Sequence, residues 1–322
     1  MKITVTGGRG FIGSHVADWA EQAGHEVGFF DKRDGNDILG DLSALDGSDA
    51  VIHLAGVLGT LELFDTIQDA IDKNVTGSYR VANWCLENDA QYTGILVPDV
   101  FPSIYCATKV AAHRITSALH HAKGLKVSHV IAYNAHGPGQ AYGPGHPQKF
   151  GPTFSIAAWN NRPIPVWGDG SSLVDPVSVS DVARMLVDAT GHMDDVVFDG
   201  GTGVAVTVRD IAEFVIDVTG STAGIEYLPM RAGETPTNVA ATGRGWDRLD
   251  WQPQFNWEHL RETINWYEGK DVEVESGFST EIQRRDLANQ HRDEVVPGSG
   301  VAIEPREIGF PDSWKQNPLR LT

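Results

Sequence analysis

One stretch near the start of the chain reads Thr6-Gly7-Gly8-Arg9-Gly10-Phe11-Ile12-Gly13. It lies between a β-branched run, predicted as a strand over Lys2 to Thr6, and an amphipathic stretch, predicted as a helix over Phe11 to Ala23. Because Gly7, Gly10 and Gly13 lack side chains, backbone N–H groups and the helix N-terminus can approach a pyrophosphate. The pattern predicts a dinucleotide-binding unit, against the alternative of a glycine-rich turn without a ligand.

The first half of the chain alternates short β-branched runs with longer amphipathic stretches. This alternation is typical of βαβ units, in which each helix returns the chain across the face of a parallel sheet. We therefore predict an α/β protein with a Rossmann-type doubly wound parallel sheet. The predicted strands are Lys2 to Thr6, Glu26 to Asp31, Ala50 to Ala55, Tyr92 to Val97 and Lys126 to Asn134, and the predicted helices between them are Phe11 to Ala23, Phe64 to Asn88 and Ser103 to Ala122.

The composition changes after Gly137. Glycines and prolines crowd into residues 137–147, which interrupts regular structure and indicates a long loop. We predict a nucleotide-binding domain over residues 1–150, to which segments around 163–203 return, and a smaller, mixed C-terminal substrate-binding region over residues 151–269. Residues 270–322 form a predicted polar tail.

The charge of the chain excludes one class of partner. The 322 residues carry 25 Lys and Arg against 43 Asp and Glu, and the net charge of −18 repels nucleic acids and anionic membrane surfaces. The longest apolar runs are strand-sized, and the first residues run directly into a strand pattern. We therefore expect a cytoplasmic protein with neither a nucleic acid nor a membrane as a partner.

Cysteine and histidine usage predicts no metal site. Cys85 and Cys106 are too few for a disulfide framework and lack the paired spacing of structural zinc sites. The histidines show no metal-ligand spacing with nearby acids along the chain; they include His113, His129, His136 and His146.

Acidic residues after the glycine stretch bear on the choice of cofactor. Asp31 closes the second predicted strand, eighteen residues after Gly13, where a carboxylate accepts hydrogen bonds from an adenosine ribose. This favours NAD over NADP, although Lys32-Arg33 could receive a 2′-phosphate and Asp31 could be a solvated strand end. The run Gly40-Asp41-Leu42 would place Asp41 near the adenine amino group, or it is only a turn.

A second constellation reads Tyr105-Cys106-Ala107-Thr108-Lys109. On a helix, residues four apart share a face, so the Lys109 ammonium would lie near the Tyr105 phenol. An adjacent cation lowers a phenol pKa, and we expect Tyr105 to become an acid/base at neutral pH. The alternative is a packed tyrosine and a surface lysine at chance spacing.

Together these motifs resemble the extended short-chain dehydrogenase/reductase family, specifically its NAD-dependent nucleotide-sugar epimerases and dehydratases. The similarity runs from Met1 to about Tyr267. Further matching motifs are His53-Leu54-Ala55-Gly56, Asn74-Val75-Thr76-Gly77, Asn134-Ala135-His136-Gly137-Pro138, Pro165-Val166-Trp167-Gly168-Asp169-Gly170, Val179-Ser180-Asp181-Val182-Ala183 and Arg231-Ala232-Gly233-Glu234.

The resemblance implies a set of cofactor contacts. Asn74 would lie beneath the nicotinamide half, and Lys109 would bind the nicotinamide ribose as well as activate Tyr105. The remaining implied or predicted NAD contacts are Gly7, Gly10, Phe11, Ile12, Gly13, Asp31, Asp41, Leu42, Leu54, Ala55, Gly56 and Tyr105.

The resemblance also implies the chemistry and the substrate contacts. Tyr105 would remove a proton from a sugar hydroxyl as hydride passes to NAD⁺, producing a keto-sugar that turns over and takes the hydride back on its other face. Asn134 and Arg231 would hold the substrate diphosphate, which suits the planar fork of an arginine. Members of the family commonly pair through two helices, here about Phe64 to Asn88 and Ser103 to Ala122, so a homodimer is expected.

Two positions depart from the family pattern. Pro98 and Asp99 stand where a Ser/Thr pair usually binds the reacting oxygen. Ser103 could substitute for that pair, or it caps the following helix. Asp99 could be a polar contact or base, or a turn residue, and it alone does not supply the acid and base that dehydration needs. Val174 stands where many relatives carry a phosphate-binding arginine.

The favoured function is NAD-dependent epimerisation of a nucleotide-diphosphate sugar. One alternative is a sugar oxidoreductase with net redox, which would use the same tyrosine and lysine. The other is a non-catalytic protein that binds NAD or a nucleotide sugar, motivated by Pro98 and Val174.

Overall fold

The structure, a computed structural model, describes residues 1–143, 146–231, 234 and 236–272. From residue 273 onward the predicted polar tail lies outside the described residues. Within them, the strands are β1 (Lys2–Thr6), β2 (Glu26–Phe30), β3 (Ala50–His53), β4 (Gln91–Leu96), β5 (Val127–Ala132), β6 (Asn134–His136), β7 (Ile164–Trp167), β8 (Leu173–Val174), β9 (Pro176–Ser178), β10 (Asp194–Gly200), β11 (Val206–Thr207) and β12 (Ile225–Leu228).

Six of these strands form one parallel sheet in the order β10-β5-β4-β3-β1-β2. The chain moves outward from β1 to β2 and then returns to the other side of β1 at β3. Such a reversal opens a crevice at the carboxyl ends of the strands, where open α/β sheets bind ligands. The predicted doubly wound Rossmann-type sheet is therefore confirmed.

Helices cover both faces of the sheet. The helices of the described chain are α1 (Phe11–Gln22), α2 (Ile67–Ala70), α3 (Ser78–Glu87), α4 (Ile104–Lys123), α5 (Phe150–Trp159), α6 (Val179–Ala189), α7 (Val208–Thr219) and α8 (Trp257–Trp266). Helices α1 and α6 pack on one face, α3 and α4 on the other. No helix in the described part of the chain is long and apolar enough to cross a membrane.

Two core clusters fill the space between the sheet and its helices. Every residue of β3 and β5 is buried, as expected for central strands covered on both faces. Each fully buried aliphatic side chain stabilises the fold by about 1.5–3 kcal/mol relative to exposure. Buried members of the α1 and α6 face include Ile3, Val5, Val16, Ile52, Val182 and Leu186, and those of the other face include Leu45, Val51, Val81, Tyr92, Leu125 and Val127.

The prediction of one continuous helix over Phe64 to Asn88 is wrong. A π-helical segment, Ile71–Gly77, separates α2 from α3. The wider turn accommodates Asn74, whose side-chain amide bonds to backbone groups outside the helix. A sequence periodicity of 3.6 residues does not register such a local widening.

The predicted strand over Lys126 to Asn134 is split. β5 ends at Ala132, and the chain leaves the sheet to pair β6 with β9. A third core cluster lies beyond this point and is built from residues of α5, β7, α7 and α8, among them Phe154, Ile164, Ile211, Leu260 and Ile264. The named residues of this cluster lie within residues 151–269, and the substrate-binding region over that range remains a prediction.

Candidate active site

The glycine loop joins β1 to α1 and cannot carry side chains at its closest approaches. Gly7 has a φ of +68°, and a Cβ placed on it would lie 2.9 Å from the backbone nitrogen of Ala55. A Cβ on Gly13 would lie 2.4 Å from the carbonyl oxygen of Gly7. Helix α1 begins at Phe11, and its N-cap Gly10 offers no side-chain hydrogen bond to the first turn. The exposed N–H groups of this turn fit the pyrophosphate of NAD.

Asp31 is held beside the glycine loop by two backbone groups. Its carboxylate accepts hydrogen bonds from the N–H of Arg9 at 3.0 Å and from the N–H of Arg33 at 2.9 Å. The neighbouring cations are engaged: Lys32 pairs with Asp37 at 3.0 Å, and the Arg33 guanidinium donates to the carbonyl of Arg9 at 2.5 Å. This arrangement favours a ribose with free hydroxyls over a 2′-phosphate, and thus NAD.

Asp41 has a local structural role. It is exposed, and it accepts hydrogen bonds from the N–H of Ser43 at 3.0 Å and the hydroxyl of Ser43 at 2.7 Å, which lower the pKa of its carboxyl. Leu42 is partly buried against the core beside α3. Contact of Asp41 and Leu42 with an adenine stays a prediction.

A buried hydrogen-bonded chain runs below the crevice through His53. The ring lies 2.8 Å from the hydroxyl of Thr6 at Nδ1 and 3.0 Å from the hydroxyl of Ser78 at Nε2. Because Ser78 donates to the carbonyl of Asn74 at 2.7 Å, it accepts from Nε2–H, and Nδ1 accepts from Thr6. Burial lowers the pKa of His53 to about 3, and Lys109 adds to this lowering, so the ring is neutral.

The segment after β3 is tied to this chain. The Thr6 hydroxyl oxygen accepts from the backbone N–H groups of Leu54 and Ala55 at 3.2 Å each. A Cβ on Gly56 would lie 2.6 Å from Oδ1 of Asn74, so only glycine fits there. Backbone groups at 54–56 are therefore fixed along the crevice, where the resemblance placed the cofactor.

Asn74 is fully buried and acts as a positioning residue. Its Oδ1 accepts from the N–H of Val57 at 2.8 Å, while its Nδ2 donates to the carbonyl of Val57 at 2.9 Å and to the hydroxyl of Thr108 at 3.1 Å. These bonds join the loop after β3 to helix α4. These hydrogen bonds are compatible with the predicted position of Asn74 beneath the nicotinamide, which remains a prediction.

Helix α4 carries Tyr105 and Lys109 one turn apart. Lys109 is 6% exposed, and its ammonium lies 3.9 Å from the Cβ position of Gly56. Burial lowers the pKa of Lys109 to about 8. Burial, with Cys106 adding to it, raises the pKa of Tyr105, which is opposite to the sequence-based expectation. The main cause is desolvation of the phenol, which the spacing of four residues to Lys109 does not reveal.

The residues before α4 include Ser103, for which the sequence left an N-cap role as one alternative. The Ser103 hydroxyl accepts from the N–H of Cys106 at 3.2 Å, so Ser103 is the N-cap of α4. Asp99 is exposed in the loop after β4. The Cys106 thiol contacts the carbonyl of Pro98 at 3.7 Å and is buried away from solvent. A further role of Ser103 or Asp99 toward a sugar hydroxyl stays a prediction.

Asn134 and Arg231, the two residues predicted to contact the diphosphate, both form hydrogen bonds within the chain. Oδ1 of Asn134 accepts from the N–H of Asp175 at 3.3 Å. The Arg231 guanidinium donates to both carboxylate oxygens of Glu234, at 2.9 and 2.5 Å, and lies over the ring of Trp167 at 4.3 Å. A diphosphate would therefore compete with Glu234 for Arg231.

Sequence reasoning missed a second cation near Arg231. Lys149 is the residue before α5, and burial lowers its pKa, an effect to which Arg231 adds and which Glu62 and Glu234 oppose. Lys149 lies in the loop rich in glycine and proline, where no periodicity marks single residues.

Asp175 is a second residue that the sequence did not single out. It is fully buried between β8 and β9 and accepts four hydrogen bonds: from the N–H and hydroxyl of Thr202 at 2.8 and 2.6 Å, from the N–H of Gly203 at 2.9 Å and from the N–H of Ala241 at 2.8 Å. This carboxylate holds three distant segments together at the carboxyl edge of the sheet.

Similarity to known proteins shows the family to which the chain belongs. The profile of the NAD dependent epimerase/dehydratase family matches residues 3–96 and 98–198. The chain belongs to this family. The resemblance to this family that the sequence motifs indicated is therefore confirmed. The family is described as NAD dependent, in agreement with the glycine loop and Asp31.

Individual family members share the fold at low identity. The UDP-glucuronate 4-epimerase of Thermodesulfobacterium geofontis is 26% identical over 236 residues, which cover 67% of this chain and 72% of the relative. The structure of Thermotoga maritima UDP-glucose 4-epimerase with UDP-glucose matches with a TM-score of 0.76 at 22% identity, over 83% of this chain and 98% of that one. Thermus thermophilus UDP-glucose 4-epimerase in complex with NAD matches with a TM-score of 0.73 at 22% identity, over 84% and 99%.

We expect Gly13→Ala to weaken NAD binding by roughly tenfold or more, because the added methyl group must displace the carbonyl of Gly7 at a cost of about 1–3 kcal/mol. Isothermal titration calorimetry with NAD⁺ measures this. Gly191→Ala is the control, since its Cβ would meet its nearest atom at an ordinary 3.6 Å. Equal affinities in the two variants would refute the assignment of the loop.

Proposed function

We propose that this protein is a UDP-sugar 4-epimerase. The proposal is carried by the position of Tyr105 and Lys109 on α4, beside the Gly56 and Asn74 supports and the glycine loop. The choice of UDP as the nucleotide and of carbon 4 as the reacting carbon rests on similar proteins, which include a UDP-glucuronate 4-epimerase and a UDP-glucose 4-epimerase. Bound NAD would supply a hydride acceptor and donor, so that a hydroxyl-bearing carbon can be oxidised and then reduced on its other face.

The residues of the chain would move the proton. Tyr105 takes the proton of the sugar hydroxyl and later returns it to the opposite epimer. Because burial raises its pKa, the phenol needs a positive environment to ionise. Lys109 provides one at neutral pH, where an ammonium with a pKa of about 8 is mostly protonated.

The substrate diphosphate would occupy the cationic region of Arg231 and Lys149. In this proposal it displaces Glu234 from the Arg231 guanidinium, which then binds phosphate oxygens with its two-pronged face. Asn134 contributes from the start of β6, where its side chain already hydrogen bonds to the backbone N–H of Asp175.

Proton NMR of UDP-sugars incubated with the protein and catalytic NAD⁺ tests the proposal. We expect new anomeric signals of the 4-epimer at constant NAD⁺ with UDP-glucose, UDP-glucuronate or UDP-N-acetylglucosamine. Stoichiometric NADH formation would instead establish a net oxidoreductase. Unchanged spectra despite bound NAD⁺ would favour a binding protein, and dTDP- and GDP-sugars in parallel test the base.

We also propose a homodimer formed through the helices around α2, α3 and α4. Four large apolar side chains between residue 64 and α3 are each 40–44% exposed and form what we call the apolar stripe: Phe64, Ile67, Ile71 and Tyr79. Burying this stripe against a second copy removes it from water.

For this interface, we expect Ile71→Asp to halve the mass measured by light scattering after gel filtration, because a carboxylate would be buried without a partner. Val204→Asp, at a residue 43% exposed elsewhere, is the control and should stay dimeric. A monomeric wild-type protein would rule the interface out.

A cytoplasmic location remains part of the proposal. Cys85 and Cys106 are both buried free thiols, which suits a reducing compartment. Nucleotide sugars and NAD are also found there as soluble metabolites, so the location agrees with the proposed chemistry.

A further inference from the structure

Two histidines and a carboxylate meet on the α4 side of the sheet, toward the amino-terminal ends of its last two strands. His113 belongs to α4, His129 to β5 and Asp195 to β10. One ligand atom from each lies within 4.8 Å of the others. The active-site crevice opens at the carboxyl ends of the strands, so this cluster is separate from it.

Two buried atoms of the cluster have no hydrogen-bond partner among the residues that the structure describes. They are Nδ1 of His129 and Oδ1 of Asp195, which lie 3.8 Å apart. His129 is 1% exposed and the Asp195 side chain 11%. An unsatisfied buried polar atom costs about 1–3 kcal/mol, so two facing each other require an explanation.

The hydrogen bond on the other side of the ring determines what His129 presents to Asp195. The Thr116 hydroxyl lies 2.9 Å from the carbonyl of His113 and 2.9 Å from Nε2 of His129. Its single proton goes to the carbonyl, so it accepts from Nε2–H, and Nδ1 carries a lone pair. Two acceptors therefore face one another, an arrangement that a cation between them satisfies.

We propose that His113, His129 and Asp195 bind a divalent transition-metal ion of the zinc class. Two imidazoles and one carboxylate are a ligand set typical of Zn²⁺, with a fourth position for water or another side chain. Ligand atoms of a tetrahedral zinc are about 3.3 Å apart, so the 3.8 Å between His129 and Asp195, and the other separations of up to 4.8 Å, must close by side-chain rotation when the ion binds.

The surroundings of the cluster fit metal binding. Thr116 orients His129 through the ring nitrogen that does not face the ion, and Ser117 hydrogen bonds to Oδ2 of Asp195. Burial lowers the pKa of both His113 and His129, which keeps the rings in their ligating neutral form. His121, 74% exposed and with Nε2 3.6 Å from Asp195, is a candidate for the fourth position.

An ion at this place would join helix α4 to strands β5 and β10. His113 lies one turn beyond Lys109 and two turns beyond Tyr105 on the same helix. The ion would thus stabilise the helix that carries both residues without contacting the crevice.

Zinc binding to the full-length, tag-free protein tests the proposal. The protein is stripped with a chelator, reloaded with Zn²⁺ alone, separated by gel filtration and analysed for metal content and for affinity against a chromogenic chelator. We expect one tightly held ion per chain, a Tm that rises with Zn²⁺, and a visible spectrum typical of four-coordinate Co²⁺ after cobalt substitution.

Variants assign the ligands. Asp195→Asn keeps the Ser117 hydrogen bond and suits the left-handed backbone at this position, φ +56°, so it should fold. We expect Asp195→Asn and His113→Gln to weaken Zn²⁺ binding by more than about 100-fold, and Thr116→Val by about 10–100-fold. His25→Gln, beside the opposite edge strand β2, is the matched control and should bind as the wild type does.

Two outcomes would overturn the proposal. Substoichiometric Zn²⁺ in the reloaded wild type would mean that the unpartnered atoms of His129 and Asp195 are satisfied by water. Wild-type affinity in Asp195→Asn and His113→Gln would place the bound ion on other histidines.

Discussion

Replacing Tyr105 with phenylalanine is expected to slow epimerisation by about 10²–10⁴-fold, the usual contribution of a positioned acid/base. The change removes one oxygen and retains the ring that packs at the start of α4. NAD⁺ affinity should stay within a few-fold, because the glycine loop and Asp31 are untouched. Single-turnover kinetics with UDP-glucose, alongside calorimetry with NAD⁺, separates the two quantities.

The matched control for this substitution is Tyr227→Phe, in a residue 49% exposed on β12. It removes the same atom outside the crevice and should leave the rate unchanged. If Tyr105→Phe retained the wild-type rate, the proton would have to move through another group, and Asp99 and Ser103 would be the residues to test next.

Lys109→Met is expected to abolish most activity while stabilising the fold. Removing the ammonium leaves Tyr105 in an apolar environment that raises its pKa, so we expect a loss of at least about 100-fold in rate. The residual rate should increase with pH more steeply than that of the wild type, since the phenol must ionise unaided. Initial rates between pH 6 and pH 10, roughly the range flanking the lysine titration, measure this.

The gain in stability follows from the same burial. Burial lowers the pKa of Lys109 from 10.5 to about 8, so the folded state binds the proton less tightly than the unfolded state does. The burial of the charged ammonium therefore lowers the free energy of unfolding. This loss of stability is full below about pH 8 and disappears as pH rises toward 10.5. At pH 7 the methionine variant should gain up to about 3 kcal/mol in free energy of unfolding.

Chemical denaturation at pH 7 and pH 10 checks the sign of this effect. The stabilisation should shrink at the higher pH, because the wild-type penalty is then mostly gone. Lys126→Met is the control: its ammonium forms a surface ion pair with Asp89 at 2.7 Å. A Lys109→Met protein that is less stable than the wild type at pH 7 would contradict the buried ammonium.

The sheet was predictable because its signals are local. β3 and β5 are buried on both faces, and apolar residues make up most of each strand, with His53, Ser128 and His129 as the polar exceptions. The glycine loop was equally readable, since the steric conflicts at Gly7 and Gly13 forbid side chains whatever the rest of the fold does. Helix ends were accurate to a few residues where a cap such as Ser103 marks them.

The remainder depends on contacts between residues far apart in the sequence. The π-helical segment exists because Asn74 bonds to Val57 and Thr108, and no property of the segment itself reveals those partners. The raised pKa of Tyr105 likewise comes from burial by neighbours, which a spacing of four residues to Lys109 does not report. The closed ion pair of Arg231 with Glu234 is a further example, since an arginine motif does not show whether its charge is already engaged.

The four hydrogen bonds to Asp175 bear on how this protein can diverge. Three of the four donors are backbone N–H groups, so most of the anchor is made by the path of the loop backbone and not by loop side chains. Loops at this edge can therefore exchange their side chains, and with them their recognition properties, while the frame that carries them keeps its geometry. Mutational tolerance should be high along these loops except at Gly201, where a Cβ would lie 2.7 Å from Asp175, and at Gly203, whose φ is +77°. It should be close to nil at the carboxylate of Asp175.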